Sequence, residues 1–77
     1  MNIYNEGDTL YAHLVTQTSD YWVKMTPRGN FSSWDIRTYF RYPTMKLRVC
    51  TYRNTETSWA EAIATFSRQC QNLPDDD

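Results

Sequence analysis

The chain has 77 residues, of which 40% are apolar and 22% charged, with a formal net charge of −1 and a mean hydropathy of −0.74. These values fit one small globular domain. They exclude a membrane-spanning helix, which needs roughly 20 apolar residues in a row, and two glycines are too few for a phosphate-cradling loop.

The charge is unevenly placed. Seven of the eight Lys and Arg lie in residues 21–53, where Asp35 is the sole acid, and both flanks of that stretch are acidic. Such asymmetry points to an anionic partner. The first residues carry no basic stretch followed by an apolar one, so the expected compartment is the cytoplasm, with Cys50 and Cys70 as free thiols.

In chain order, residues 1–8 read as an irregular arm ending in the turn signal Glu6-Gly7-Asp8. Residues 9–17 alternate, with Leu10, Ala12 and Leu14 opposite Tyr11, His13 and Val15. Residues 21–26 alternate again, with Tyr21, Val23 and Met25 opposite Trp22, Lys24 and Thr26. The short polar link Ser19-Asp20 makes the two an antiparallel hairpin. Pro27-Arg28-Gly29-Asn30 is a turn. A third strand over 34–42 sets Trp34, Ile36, Thr38 and Phe40 against Asp35, Arg37, Tyr39 and Arg41. Tyr42-Pro43-Thr44 closes a tight connection. A fourth strand over 45–52 sets Met45, Leu47 and Val49 against Lys46, Arg48, Cys50 and Tyr52.

The last element is a helix over 58–71. Ser58 and Glu61 make a capping box. Trp59, Ile63, Phe66 and Cys70 recur at helical spacing with Ala62 beside them, and Thr65 falls on the wet side. Asn72 and Pro74 stop the helix, and residues 73–77 form an acidic tail whose Asp75, Asp76 and Asp77 could fold back on basic surface.

The expected fold is therefore α+β. A four-stranded antiparallel sheet over 9–52 is covered on one face by a single C-terminal helix, in the order ββββα. Leu10, Leu14, Val23, Trp34, Ile36, Phe40, Leu47 and Val49 would pack under Trp59, Ile63 and Phe66. With one helix to share, the other face stays open.

That open face would carry Trp22, Lys24, Arg37, Tyr39, Arg41, Lys46, Arg48 and Tyr52. Cations contact phosphates, and aromatic rings stack on bases or cover sugars. The first reading is a nucleic-acid-binding protein in which Arg37, Arg41, Lys46 and Arg48 hold phosphates while Trp22, Tyr39 and Tyr52 stack. The alternative is an interaction or inhibitor protein of the kind phages and mobile elements encode. It would dock the same face, or an edge strand, on a larger host complex, since Tyr, Trp and Arg also dominate protein interfaces. A third possibility is that Arg–Tyr and Arg–Trp pairs only stabilise the sheet.

Nothing assembles a catalytic set. His13 has no acid at a fixed spacing, and Cys50 sits among cations without a nucleophile motif. Two Cys and one His do not make a zinc site. The expectation is no catalysis, cofactor, metal, small-molecule substrate or membrane, and a monomer or an edge-paired homodimer.

The strand–helix order resembles the small sheet-reading DNA-binding domains, namely the arm-binding domains of phage integrases and the AP2-type plant domains. The segment from Tyr52 through Arg53, Thr55, Glu56 and Trp59 to Ala62 is similar to their strand–Thr–acidic–Ala helix start. Tyr42-Pro43-Thr44 stands where those domains carry a glycine-rich second hairpin. The resemblance implies nucleic-acid binding and assigns no residue.

Overall fold

The computed structural model describes residues 1–74, so the aspartates of the acidic tail lie outside the described residues. Five strands, β1 (Asn2–Glu6), β2 (Thr9–Val15), β3 (Asp20–Arg28), β4 (Ser33–Arg41) and β5 (Val49–Glu56), precede one helix, α1 (Trp59–Gln71). The strands form a single antiparallel sheet in sequence order, each paired with its chain neighbour. The class is α+β, with five strands where four were expected.

The extra strand is the segment read as an arm. Glu6 pairs with Thr9, so Gly7 and Asp8 make a two-residue hairpin loop. Gly7 has φ +62°, which costs glycine nothing and suits the first position of such a loop. Every residue of β1 is exposed, so the strand shows no apolar alternation to read.

The β3–β4 loop lies later than the Pro27 turn signal suggested. Arg28 pairs with Ser33, and the loop residues Gly29, Asn30 and Phe31 all take positive φ. The Ser32 N–H closes it on the carbonyls of Arg28 and Gly29. Pro27 sits beyond the last β2–β3 register pair, Leu10–Met25, where a missing N–H is tolerated.

Between β4 and β5 the chain runs irregularly over residues 42–48. The fourth predicted strand therefore starts four residues late. Leu47, expected in the core, is 80% exposed, and Val49 is exposed too. A bulge follows: Thr38 pairs with Tyr52 but Tyr39 pairs with Cys50, leaving Thr51 as the extra residue.

The core lies between the sheet and α1. Ala12, Val23, Met25, Trp34 and Ile36 pack against Ala62 and Phe66, with Leu10, Tyr52, Ile63, Cys70 and Leu73 around them. Ser58 caps the helix by accepting the Glu61 N–H at 3.4 Å, and the Asn72 N–H closes the other end on the Arg68 carbonyl at 3.0 Å. The buried stripe is Ala62, Thr65 and Phe66. Trp59 is 56% exposed and meets Trp34 edge-on at 5.6 Å. Thr65, expected on the wet side, is 1% exposed because its hydroxyl donates to Glu56 Oε2 at 2.6 Å and accepts from Arg68 at 3.1 Å. Among the described residues no helix is long and apolar enough to cross a membrane.

Candidate functional site

Helix α1 covers one sheet face, and the register pairs define what stands on the other. Because pleat parity is kept across β1–β4, alternate residues of each strand line up in rows. One row crosses all five strands as Tyr4, Tyr11, Lys24, Arg37 and Arg53. The next is Asn2, His13, Trp22, Tyr39 and Cys50. On the other side of the first row lie Thr26, Asp35 and Thr55. Asp20 and Arg41 pair beyond the second row.

Of the eight residues singled out in the sequence, Trp22, Lys24, Arg37, Tyr39 and Arg41 stand together on this face. Arg48 joins them from the irregular segment, with its guanidinium 4.1 Å from the Trp22 ring centroid. Lys46 is exposed in the same segment. Tyr52 does not belong. The bulge at Thr51 reverses the parity of β5, so Tyr52 packs half-buried against the core under α1. Arg53 takes the place on the open face instead, directly opposite Arg37.

Trp22 also differs from expectation. Its ring is only 5% exposed although it stands on the open face. His13 stacks on it at 4.8 Å with planes 5° apart, and Arg48 and Arg41 add cation–π contacts at 4.1 and 5.8 Å. Asp20 Oδ2 links this group, 3.5 Å from Arg41 and 3.9 Å from His13 Nε2. Trp22 is thus covered by His13, Arg41 and Arg48 and is not offered for stacking.

The first row is differently built. Tyr4 and Tyr11 stack at 5.2 Å with planes 12° apart, and Lys24 Nζ lies 5.9 Å from the Tyr11 ring. Lys24, Arg37 and Arg53 then follow on three adjacent strands. Like charges directly opposite each other destabilise a sheet by roughly 0.2–1 kcal/mol a pair, and this row contains two such pairs. Asp35 answers only one of the three cations: Arg37 donates through Nε and Nη2 to Asp35 Oδ2, both at 2.9 Å. The Tyr39 hydroxyl first, and Asp35 second, hold the Arg37 guanidinium above its ordinary value. Among the described residues Lys24, Arg48 and Arg53 form no ion pair with a carboxylate.

Of the other reactive groups, Cys50 is exposed and donates its thiol to the Tyr52 carbonyl at 3.3 Å. Burial pushes the Cys70 thiol up, as suits a core residue.

No family model, curated protein or solved structure matches the chain. The residues of the open face therefore carry the functional reading by themselves.

Proposed function

We propose that the protein is a non-enzymatic nucleic-acid-binding protein that holds the phosphate backbone against its open sheet face. The observation that carries this reading is the row Lys24–Arg37–Arg53. Three cations set side by side on adjacent strands, with one carboxylate among them, raise the energy of the free protein and are offset by a ligand with closely spaced negative charges. Arg48 and Lys46 extend the cationic surface beside it. Because Trp22 is covered, backbone contacts dominate over base stacking, and the stacked pair of exposed Tyr4 and half-buried Tyr11, with half-buried Tyr39, is the aromatic surface left.

The test is fluorescence anisotropy with labelled single-stranded DNA, RNA and duplex DNA over a salt series. Four phosphates held by Lys24, Arg37, Arg48 and Arg53 give a slope of log K against log salt of about −3. Affinity then falls roughly 60-fold between 50 and 200 mM salt. A flat salt dependence, or no binding at 50 mM, refutes the reading.

A second reading rests on strand β1. It is an outer strand, exposed along its whole length, and Ile3 and Tyr4 are among the exposed large side chains. An unguarded edge of this kind pairs with a strand of another protein or of a second copy. Sedimentation of the free chain and of a Tyr4→Pro variant separates the copies: a dimer lost on proline substitution supports edge pairing, and a monomer in both refutes self-pairing.

A further inference from the structure

A concavity opens on this face at the β3–β4 junction. Lys24, Thr26, Arg28, Asp35 and Arg37 line a recess of about 130 Å³ at the junction of β3 and β4. Its floor is the Asp35 carboxylate, whose side chain is 7% exposed. Besides both Arg37 donors, Asp35 Oδ2 meets Arg28 Nη2 at 3.7 Å, and Oδ1 accepts the Thr55 hydroxyl at 3.4 Å. The carboxylate thus works from below, fixing two guanidinium groups at the rim rather than filling the recess. Arg37 has five N–H donors and Asp35 takes two of them. Thr26 accepts the Thr9 hydroxyl at 3.4 Å, so its own O–H is left to donate. Lys24 forms no ion pair with a carboxylate among the described residues.

Three cations around one carboxylate leave the recess with two net positive charges. A backbone phosphodiester carries a single negative charge. A phosphate monoester carries about −1.5 to −2 at pH 7 and presents three acceptor oxygens. The match in charge and in donors is therefore to a terminal phosphate. From Arg37 the cation row runs on to Arg53 on β5, which suits a polyanion attached to that terminus.

We propose that this recess is a subsite for a phosphate monoester, occupied by the 5′-terminal phosphate of a nucleic-acid strand. It rests on the nucleic-acid reading above and names the part of the ligand that this face selects. Lys24 and Arg37 bracket the phosphate, Thr26 donates its hydroxyl, and Arg28 closes the rim beside the β3–β4 loop.

Paired anisotropy titrations test it, using one 3′-labelled oligonucleotide with either a 5′-phosphate or a 5′-hydroxyl, at about 100 mM chloride without phosphate buffer. The expected result is about tenfold tighter binding of the phosphorylated strand. Lys24→Gln and Thr26→Val should each erase most of that advantage. Both leave the Asp35–Arg37 pair intact, so the fold is kept, and a thermal melt confirms it. Arg53→Gln should weaken both strands equally and keep their ratio. Inorganic phosphate at constant ionic strength should remove the advantage, with amide shifts grouped at Lys24, Thr26, Arg28 and Arg37.

Equal affinity for the two strands overturns the strand-end assignment while leaving backbone binding standing. If neither strand binds, the nucleic-acid reading fails. Grouped shifts with inorganic phosphate then keep the recess as a site for free phosphate, and scattered or absent shifts overturn it. A phosphoserine peptide bound more tightly than the phosphorylated strand overturns the choice of nucleic acid as the source.

Discussion

Arg53→Gln separates the two roles of the cation row, because it should move stability and affinity in opposite directions. Arg53 is exposed on the edge strand β5 and faces Arg37 across the β4–β5 ladder, with no carboxylate partner among the described residues. Glutamine keeps most of the stem and removes the charge. Relief of an exposed like-charge pair is worth a few tenths of a kcal/mol, which in a chain of this size raises Tm by about 1–2 °C. Binding should suffer. One fewer neutralised phosphate, at about 0.8 log units per decade of salt, is about a sixfold loss at 0.1 M and lowers the salt slope by about 0.8. Thermal melts and anisotropy titrations at four salt concentrations measure both quantities on the same preparation. An unchanged salt slope, or a protein that melts several degrees lower, refutes the argument that this arginine is held in place for a polyanion.

Arg48→Ala should uncover the Trp22 indole, shift its Nε1–H resonance while leaving those of Trp34 and Trp59 in place, and cost under about 1 kcal/mol of stability. Thr65→Val keeps the shape but leaves Glu56 and Arg68 without their shared hydroxyl. Hydrogen bonds to charged groups of this kind contribute about 1.5–3 kcal/mol, so Tm should fall by roughly 8–15 °C in a thermal melt. Because burial raises the Cys70 thiol above its unfolded value, the folded chain keeps that proton to higher pH. Its contribution is full below about pH 8.5 and is lost as pH rises through the folded value. Cys70→Ala should therefore flatten the decline of Tm between about pH 8 and 10 in reductant. Deleting Thr51 removes the bulged residue and leaves Cys50 to pair with Tyr39 in a regular ladder, so the variant should fold with a Tm near the parent, whereas deleting Asn54 should invert one arm of β5 and abolish cooperative melting.

What could be read from the sequence was what the apolar alternation records. Leu10, Ala12 and Leu14, then Val23 and Met25, then Trp34 and Ile36 fixed the parity of three central strands. With it came the places of Trp22, Lys24, Arg37, Tyr39 and Arg41 on the open face. The outer strands were harder for different reasons. Strand β1 buries neither side, so no residue in it announces a face. In β5 the alternation is present but broken at Thr51, and a bulge in an edge strand leaves no sequence signature in Val-Cys-Thr-Tyr-Arg. One extra residue exchanged Tyr52 for Arg53 and so turned an aromatic edge into a cationic one. The cover over Trp22 was invisible for another reason. Arg48 reaches it from an irregular segment, and the choice between ring as platform and ring as support depends on a tertiary contact that spacing does not encode. Thr65 follows the same logic: polarity alone points it to water, while Glu56 and Arg68 supply the partners that let it go inside.

These corrections sharpen the functional argument, because they divide the open face into two halves with different energetics. Around Trp22 the strong groups lean on one another, His13 and Arg48 against the indole and Asp20 against Arg41, although His13 Nε2 and Arg41 Nε are buried without a hydrogen-bond partner. Trp22 there is accounted for as a support for the sheet and is not needed as a stacking platform. Along Lys24, Arg37 and Arg53 the internal answers run short, with one buried carboxylate shared by Arg37 and Arg28 while Lys24 and Arg53 face Arg37 from either side. A sheet selected only for stability would place Thr or Glu at one of those positions, as the neighbouring row does with Thr26 and Thr55 flanking Asp35. Unanswered charge at fixed spacing is the feature that an anionic ligand explains and packing does not. The experiments that remove single cations from this row therefore bear on function more directly than any change at the better-packed tryptophan.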